Sequence, residues 1–186
     1  VSYAVMTPSA ARGLVEAVLW KPAIVWRIER IAVLEGIRFT SFRRNEVNSR
    51  VPTFKSKPPR EYFADEDRSQ RNTVALSKVD YLIEAHFELT KRAGPEETVR
   101  KFEEMFERRL QRGQHFHQPY LGCREFVADV EEPAGDESPI DDTRDLGLML
   151  WDIEFGPKGA NRPRFFPAKL ERGVLEVPNW AERDAP

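Results

Sequence analysis

The chain has 186 residues, of which 40% are hydrophobic and 32% charged, a composition that fits one folded domain or a core with a smaller appendage. A single cysteine, Cys123, excludes an internal disulfide framework and fits a reducing cytosol, so a cytoplasmic location is expected. No apolar run approaches the roughly 18 residues that span a bilayer, and no secretory signal is recognisable, so no membrane partner is expected. The chain begins at Val1, which fits a trimmed terminus or a fragment.

In chain order, Thr7-Pro8 reads as an N-cap followed by proline at the first helical position. Ala11, Leu14, Val15 and Val18 then recur at helical spacing, which predicts an amphipathic helix over 8–20 that Pro22 ends. Ile24, Trp26 and Ile28 alternate, and Ile31 and Val33 continue in the other parity. That predicts one long strand with a bulge, or a strand buried on both faces. The turn signal Glu35-Gly36 and a second strand near 37–42 predict a hairpin. Residues 48–72 hold Pro52, Pro58 and Pro59 with little periodicity and read as a long loop. Clean alternation from Val79 to Leu89 predicts a strand over 78–90. After Gly94-Pro95, the stripe Val99, Phe102, Phe106, Leu110 predicts a helix closed by Gly113. Further strands are expected at 120–130 and 146–155, with a last hairpin turning near Arg172-Gly173.

The net charge of −2 hides a polarised distribution. Residues 27–60 carry nine basic and three acidic side chains, a surplus of six positive charges that leaves −8 for the rest; residues 125–145 carry nine acids against Arg144 alone. A basic stretch interleaved with Phe39, Phe42 and Phe54 is the pattern expected for a phosphate backbone with stacked bases. The alternative is a solvated charged face. The element order, with a strand added ahead of the first helix, matches a ferredoxin-like or RNA-recognition-like α+β arrangement with a β-rich extension.

No phosphate-binding P-loop, dinucleotide glycine fingerprint, HExxH string or nucleophile elbow occurs. His115, His117 and Cys123 lack the second cluster that a closed zinc site needs, so no metal or other cofactor is expected. Cys123 reads as a small buried mid-strand thiol, His86 as a surface histidine and Lys101 as a solvated helix lysine.

Several strings together carry a resemblance: SYAVMTPSAARG (Ser2 to Gly13), WKPAIVW (Trp20 to Trp26), RRNEV (Arg43 to Val47), EAHFELT (Glu84 to Thr90), FERR (Phe106 to Arg109), GQHFHQPYLGCREF (Gly113 to Phe126) and RDLGLMLWDI (Arg144 to Ile153). In this order and spacing the chain resembles the CRISPR-associated Cas-five family, subtype I-C, from Val1 to about Val177. The resemblance implies a ferredoxin-like domain, here lacking its central first strand, with a C-terminal antiparallel β extension. The division it implies is an RNA-binding core over 1–118 with a basic loop at 43–72, and a β-rich extension over 119–186. It also implies a subunit that cuts CRISPR precursor RNA without a metal, keeps the 5′ handle of the product, and joins the backbone and large subunits of a type I-C Cascade complex.

In the family a Lys-His pair early in the second helix, with a Tyr or His just before the Trp-Lys-Pro string, is implicated in cutting. Here the lysine matches Lys101, whereas the other two positions fall on Phe102 and Leu19, which cannot move a proton. Poor cutting is expected unless His115 or His117 has taken over, since imidazole suits both proton-transfer roles. The alternatives are a structural subunit that only caps guide RNA, or a general protein-interaction module. Arg43, Arg44, Lys21, Arg71, Tyr120 and Arg124 form the expected RNA-contact set, with Tyr120 and Arg124 sharing one strand face.

Overall fold

The structure is a computed structural model that describes residues 2–49, 63, 65–156 and 159–182. It is α+β and consists of two compact units, one of Val1–Ser2 with Ile37–Lys78, the other of Tyr3–Gly36 with Val79–Pro186.

The larger unit opens with helix α1, Pro8–Val18, whose N-cap Thr7 accepts a hydrogen bond from the Ala10 amide at 3.2 Å. Proline at the first helical position removes an amide that would otherwise lack a partner. The predicted stripe is the buried face: Ala11, Leu14, Val15, Ala17 and Val18. Strand β1, Ile24–Val33, follows. It pairs antiparallel with β4, Tyr81–Leu89, through a register shift between Ile28 and Arg30. That is the expected bulge, and it returns Ile31 and Val33 to the apolar face already occupied by Trp26 and Ile28. Helix α2, Val99–Gln111, comes next, capped by the Thr98 hydroxyl on the Lys101 amide at 3.3 Å.

The C-terminal strands β5, Arg144–Glu154, β6, Arg162–Glu171, and β7, Val174–Glu176, extend the same sheet, giving the order β4-β1-β7-β6-β5 with antiparallel neighbours throughout. Arg172 and Gly173 both have positive φ, 48° and 78°, the geometry of a tight two-residue hairpin. A Cβ at Gly173 would collide with the Ile140 backbone, so only glycine fits there. Among the described residues α1 is the first element, β1 is flanked on both sides, and β4 and β5 are the two edges.

The smaller unit is a two-stranded ribbon of β2, Phe39–Val47, and β3, Arg68–Leu76. Two expectations fail here. The hairpin expected between β1 and β2 does not form, because β2 has no buried residue and so no apolar face to set beside β1. Strand β4, with Tyr81, Ile83, Ala85 and Phe87 in alternation, takes that edge of β1 instead. The basic loop expected over 43–72 contains the end of β2 and the start of β3; Arg50, Phe54, Lys55, Lys57 and Arg60 lie outside the described residues. The strand expected at 120–130 also fails. A single bridge, Tyr120 to Val127, closes a tight loop around Gly122 at φ 77°, and Cys123 is exposed at its tip rather than buried in a strand.

Arg12 on α1 holds Asp152 on β5 through two 2.8 Å bonds, from Nε and Nη2, and reaches Glu16 with Nη1 at 2.8 Å. Burial works against the Arg12 charge, but the two carboxylates more than offset it and its pKa is raised. The Arg12 and Asp152 side chains are 16% and 14% exposed, so removing one leaves the other charged and largely dry. Asp152→Ala should cost about 3 kcal/mol in urea denaturation. Arg100→Ala, which removes a solvent-exposed pair with Glu104, should leave the urea midpoint essentially unchanged.

Candidate functional site

The C-terminal end of α1 leaves carbonyl groups that the helix itself cannot satisfy. Three donors from outside the helix take them. The Phe116 amide donates to Ala17 O at 2.6 Å, Arg109 Nη1 to Val18 O at 2.7 Å, and Trp26 Nε1 to Leu19 O at 2.8 Å. Gly113, at φ 60°, lets the chain turn out of α2 so that residues 114–117 lie along α1. The loop that follows is tied by Leu121 N to Phe126 O and Ala128 N to Pro119 O.

This arrangement leaves an open cavity of about 390 Å³ lined by Ser9, Ala10, Gly13 and Glu16 of α1 and by His117, Tyr120 and Gly122. Small residues on α1 make the floor. The polar groups are a carboxylate, an imidazole, a phenol and a hydroxyl. The His117 Nδ1 lies 3.2 Å from Gln118 O. A carbonyl only accepts, so Nδ1 donates in this bond and Nε2 is the ring nitrogen left for other partners. The Tyr120 ring lies 6.2 Å from the imidazole. Glu16 is fixed through Arg12 to Asp152, so its carboxylate enters the cavity already oriented.

The structure separates the residues singled out from sequence. His117 and Tyr120 meet at the cavity, while His115 is exposed and does not line it. Arg124 is exposed at the loop tip, and the shared strand face expected for it with Tyr120 does not exist because no strand forms there. Nor do His115 and His117 share a strand face, since both lie in irregular backbone. Leu19 and Phe102, 0% and 1% exposed, sit in one apolar cluster with Val15, Ala23, Ile24 and Trp26. Phe87 packs edge-on to Phe102 at 6.2 Å between centroids. Lys101, next in sequence to Phe102, points outward with Nζ 3.4 Å from Glu96 O. Lys21 is half-buried in the turn after α1 and does not line the cavity. Burial pushes the Tyr81 phenol up to about 12, partly offset by a hydrogen bond from the Met6 backbone, which leaves that phenol no part as a base near neutrality. Glu16 and Ser9 were not anticipated. The i,i+4 pair of Arg12 and Glu16 on one helix was the available signal.

On the ribbon, Arg43 and Arg44 are sequence neighbours and so project from opposite faces. Arg44 lies directly opposite Arg71. Such like-charged pairs are unfavourable, and Glu46 relieves this one, with its carboxylate 3.6 Å from Arg44 Nε and 3.5 Å from Arg71 Nε. The Arg44 guanidinium also lies over the Phe42 ring at 5.8 Å.

Residues 1–178 match the family described as "CRISPR-associated protein (Cas_Cas5)". The chain is 45% identical over 193 residues to a protein named CRISPR pre-crRNA endoribonuclease Cas5d from Mannheimia succiniciproducens, covering 96% of this chain and 85% of that one. It is 40% identical over 196 residues to a protein of the same name from Thermus thermophilus, covering 96% and 82%. Two solved structures share the fold at 22% identity. One is titled a functionally uncharacterized protein SMU1763c from Streptococcus mutans (TM-score 0.70; 97% of this chain, 84% of that one). The other is titled a CRISPR-associated protein (TM-score 0.69; 98% and 84%). They support the α+β, ferredoxin-like class expected from the sequence.

The burial of Phe102 has a direct consequence. Phe102→His would place a polar ring at a 1% exposed position inside an apolar cluster, and should cost about 2–3 kcal/mol. Denaturant unfolding reads this directly; an unchanged midpoint would place that side chain outside the core.

Proposed function

Because the chain belongs to the CRISPR-associated Cas5 family, we propose that it cuts CRISPR precursor RNA and retains the 5′ handle of the product as a subunit of a type I-C Cascade. The observation that carries this reading is identity of 45% and 40%, over 96% of the chain, to two proteins named pre-crRNA endoribonucleases. In the proposed chemistry the ribose 2′-oxygen attacks the adjacent phosphorus and the 5′-oxygen leaves. The step needs a base for the 2′-hydroxyl, an acid for the leaving oxygen, and positive charge near the phosphate.

His117 is the group best placed to move a proton, since it lines the cavity and its Nδ1 is held by Gln118 O, leaving Nε2 for the substrate. Tyr120 and Glu16 complete the cavity's proton-transfer groups. Lys101, exposed at the start of α2, does not line that cavity, and its proposed part is attraction of the RNA backbone. Affinity comes from the ribbon, where Arg44 and Arg71 share a face with one carboxylate between them and so keep a positive surplus for phosphate. Arg43 on the ribbon, and Lys21, Arg124 and His115 on the larger unit, are further proposed RNA contacts, each on its own unit. The backbone and large subunits of Cascade are the proposed protein partners.

A second reading, a subunit that caps guide RNA without cutting it, is favoured by one observation. Leu19 and Phe102, the two positions where relatives of the resembled subtype carry proton-transfer groups, are core residues here.

Repeat-hairpin RNA incubated with the purified chain in EDTA separates the readings. Cutting that falls about 10²–10⁴-fold in His117→Ala and stays near the parent rate in His115→Ala is the expected result. Binding without cutting would establish the capping role. For the ribbon, Arg44→Ala with Arg71→Ala should weaken handle binding and reduce the dependence of log Kd on log salt by about one to two counterions. An unchanged slope would remove both from the RNA surface.

A further inference from the structure

The β2–β3 ribbon has two faces of different chemistry, fixed by its register. Residues opposite each other across the strands share a face, and successive residues alternate. One face is the ion-paired one of Arg44, Arg71 and Glu46. On the other, Arg43 lies opposite Asn72, Asn45 opposite Gln70, and Val47 opposite Arg68. These three successive rungs hold three carboxamides, two guanidiniums and no carboxylate. All five polar side chains are exposed. Among the described residues, none of the five has a side-chain hydrogen bond or ion pair, in contrast to the arginines on the opposite face.

Asparagine is depleted in strands, and this unit gains nothing visible from Asn45 and Asn72. A ribbon face meant only for solvent is served by lysine, glutamate or threonine. A ribbon face meant only for phosphate is served by arginine and lysine, because a neutral carboxamide adds little to attraction toward a polyanion. What a carboxamide offers is a donor and an acceptor side by side, which matches the paired acceptor and donor on a purine edge. Asn and Gln suit adenine and Arg suits guanine. In RNA those edges are open to side chains mainly where the strand is single and unstacked.

Building on the RNA-processing reading, we propose that the Arg43/Asn45/Gln70/Asn72 face of the ribbon reads base edges of a single-stranded purine-rich segment of the CRISPR RNA, with adenine preferred. The ion-paired face contributes charge without sequence preference, so the two faces carry affinity and discrimination separately.

Equal-length oligoadenylate and oligouridylate, titrated against the full chain at one fixed salt concentration, test the assignment. The parent chain should bind oligoadenylate more tightly. Asn45→Ala with Gln70→Ala should lower that preference by about ten-fold while leaving oligouridylate affinity and its salt slope in place, since one good bidentate base contact is worth about that much. Arg44→Ala with Arg71→Ala should weaken both oligomers alike. An amide double variant that loses affinity equally for both, or a parent chain that binds both equally, overturns the base-reading face while leaving RNA binding standing. A parent chain that binds neither oligomer nor repeat RNA removes the RNA-processing reading itself. Asn45→Gln with Gln70→Asn, which keeps both carboxamides at altered reach, should retain part of the preference; a loss as large as that of the alanine pair would count against contact through the amides.

Discussion

The last three carbonyl groups around the end of α1 are the constraint on which the larger unit's site depends. No basic residue occupies the last turn of α1, so the negative end of that helix lacks a local counter-charge. Arg109, near the end of α2, supplies it at Val18 O, and the Phe116 amide and the Trp26 indole take the flanking carbonyls. Each bond contributes only about 0.5–1.5 kcal/mol net, and somewhat more for the charged donor. Leaving a buried carbonyl unpaired would cost more, and that asymmetry makes the arrangement specific. The three bonds join α1 to β1, to α2 and to the segment after α2. That segment is the one that brings His117 and Tyr120 beside the small residues of α1.

The same anchoring explains why Leu19 and Phe102 are apolar. Trp26 must lie flat enough under Leu19 to reach its carbonyl, and it is held there by Phe106 at 4.9 Å and Phe87 at 5.2 Å between ring centroids. Phe102 fills the remaining space against Phe87. A polar side chain at either position would need its own partner within this ring cluster, where the Leu19 carbonyl already accepts from the indole. In the proposed reading proton transfer belongs to the surface cavity, while Leu19 and Phe102 complete the core.

How much of this was legible from sequence follows from where apolar periodicity is strong. Both helices, β1 with its bulge, β4, β5 and the turn at Arg172-Gly173 were readable, because each has a buried stripe or a backbone that demands particular residues. The ribbon was not, because β2 buries nothing and β3 buries little, so no alternation marks their pairing. Leu121, Phe126 and Val127 looked like strand residues, but Gly122 in a left-handed conformation folds them into a loop. At the site, His117 was readable as a possible proton-transfer group and Tyr120 as an RNA contact, but not that the two meet. Glu16 was hidden, since its role depends on Arg12 reaching Asp152, 140 positions away.

The distribution of paired and unpaired charge separates support from recognition. In the larger unit, Arg12, Arg27, Arg30 and Arg164 each lie against a carboxylate, across strands or between helix and strand, and so contribute to holding elements together. In the ribbon there is little apolar surface to hold two strands, and its ends are closed by backbone bonds from Ser77 to Arg38 and from Asn48 to Asp67. A pair of strands that is weakly supported by burial would be expected to place opposite charges on facing positions. This one instead faces Arg44 against Arg71 and lines its other face with carboxamides, choices that cost stability locally. Residues that work against their own element are most economically explained by a partner outside the chain, and a polyanion with exposed bases is the partner whose chemistry fits both faces at once.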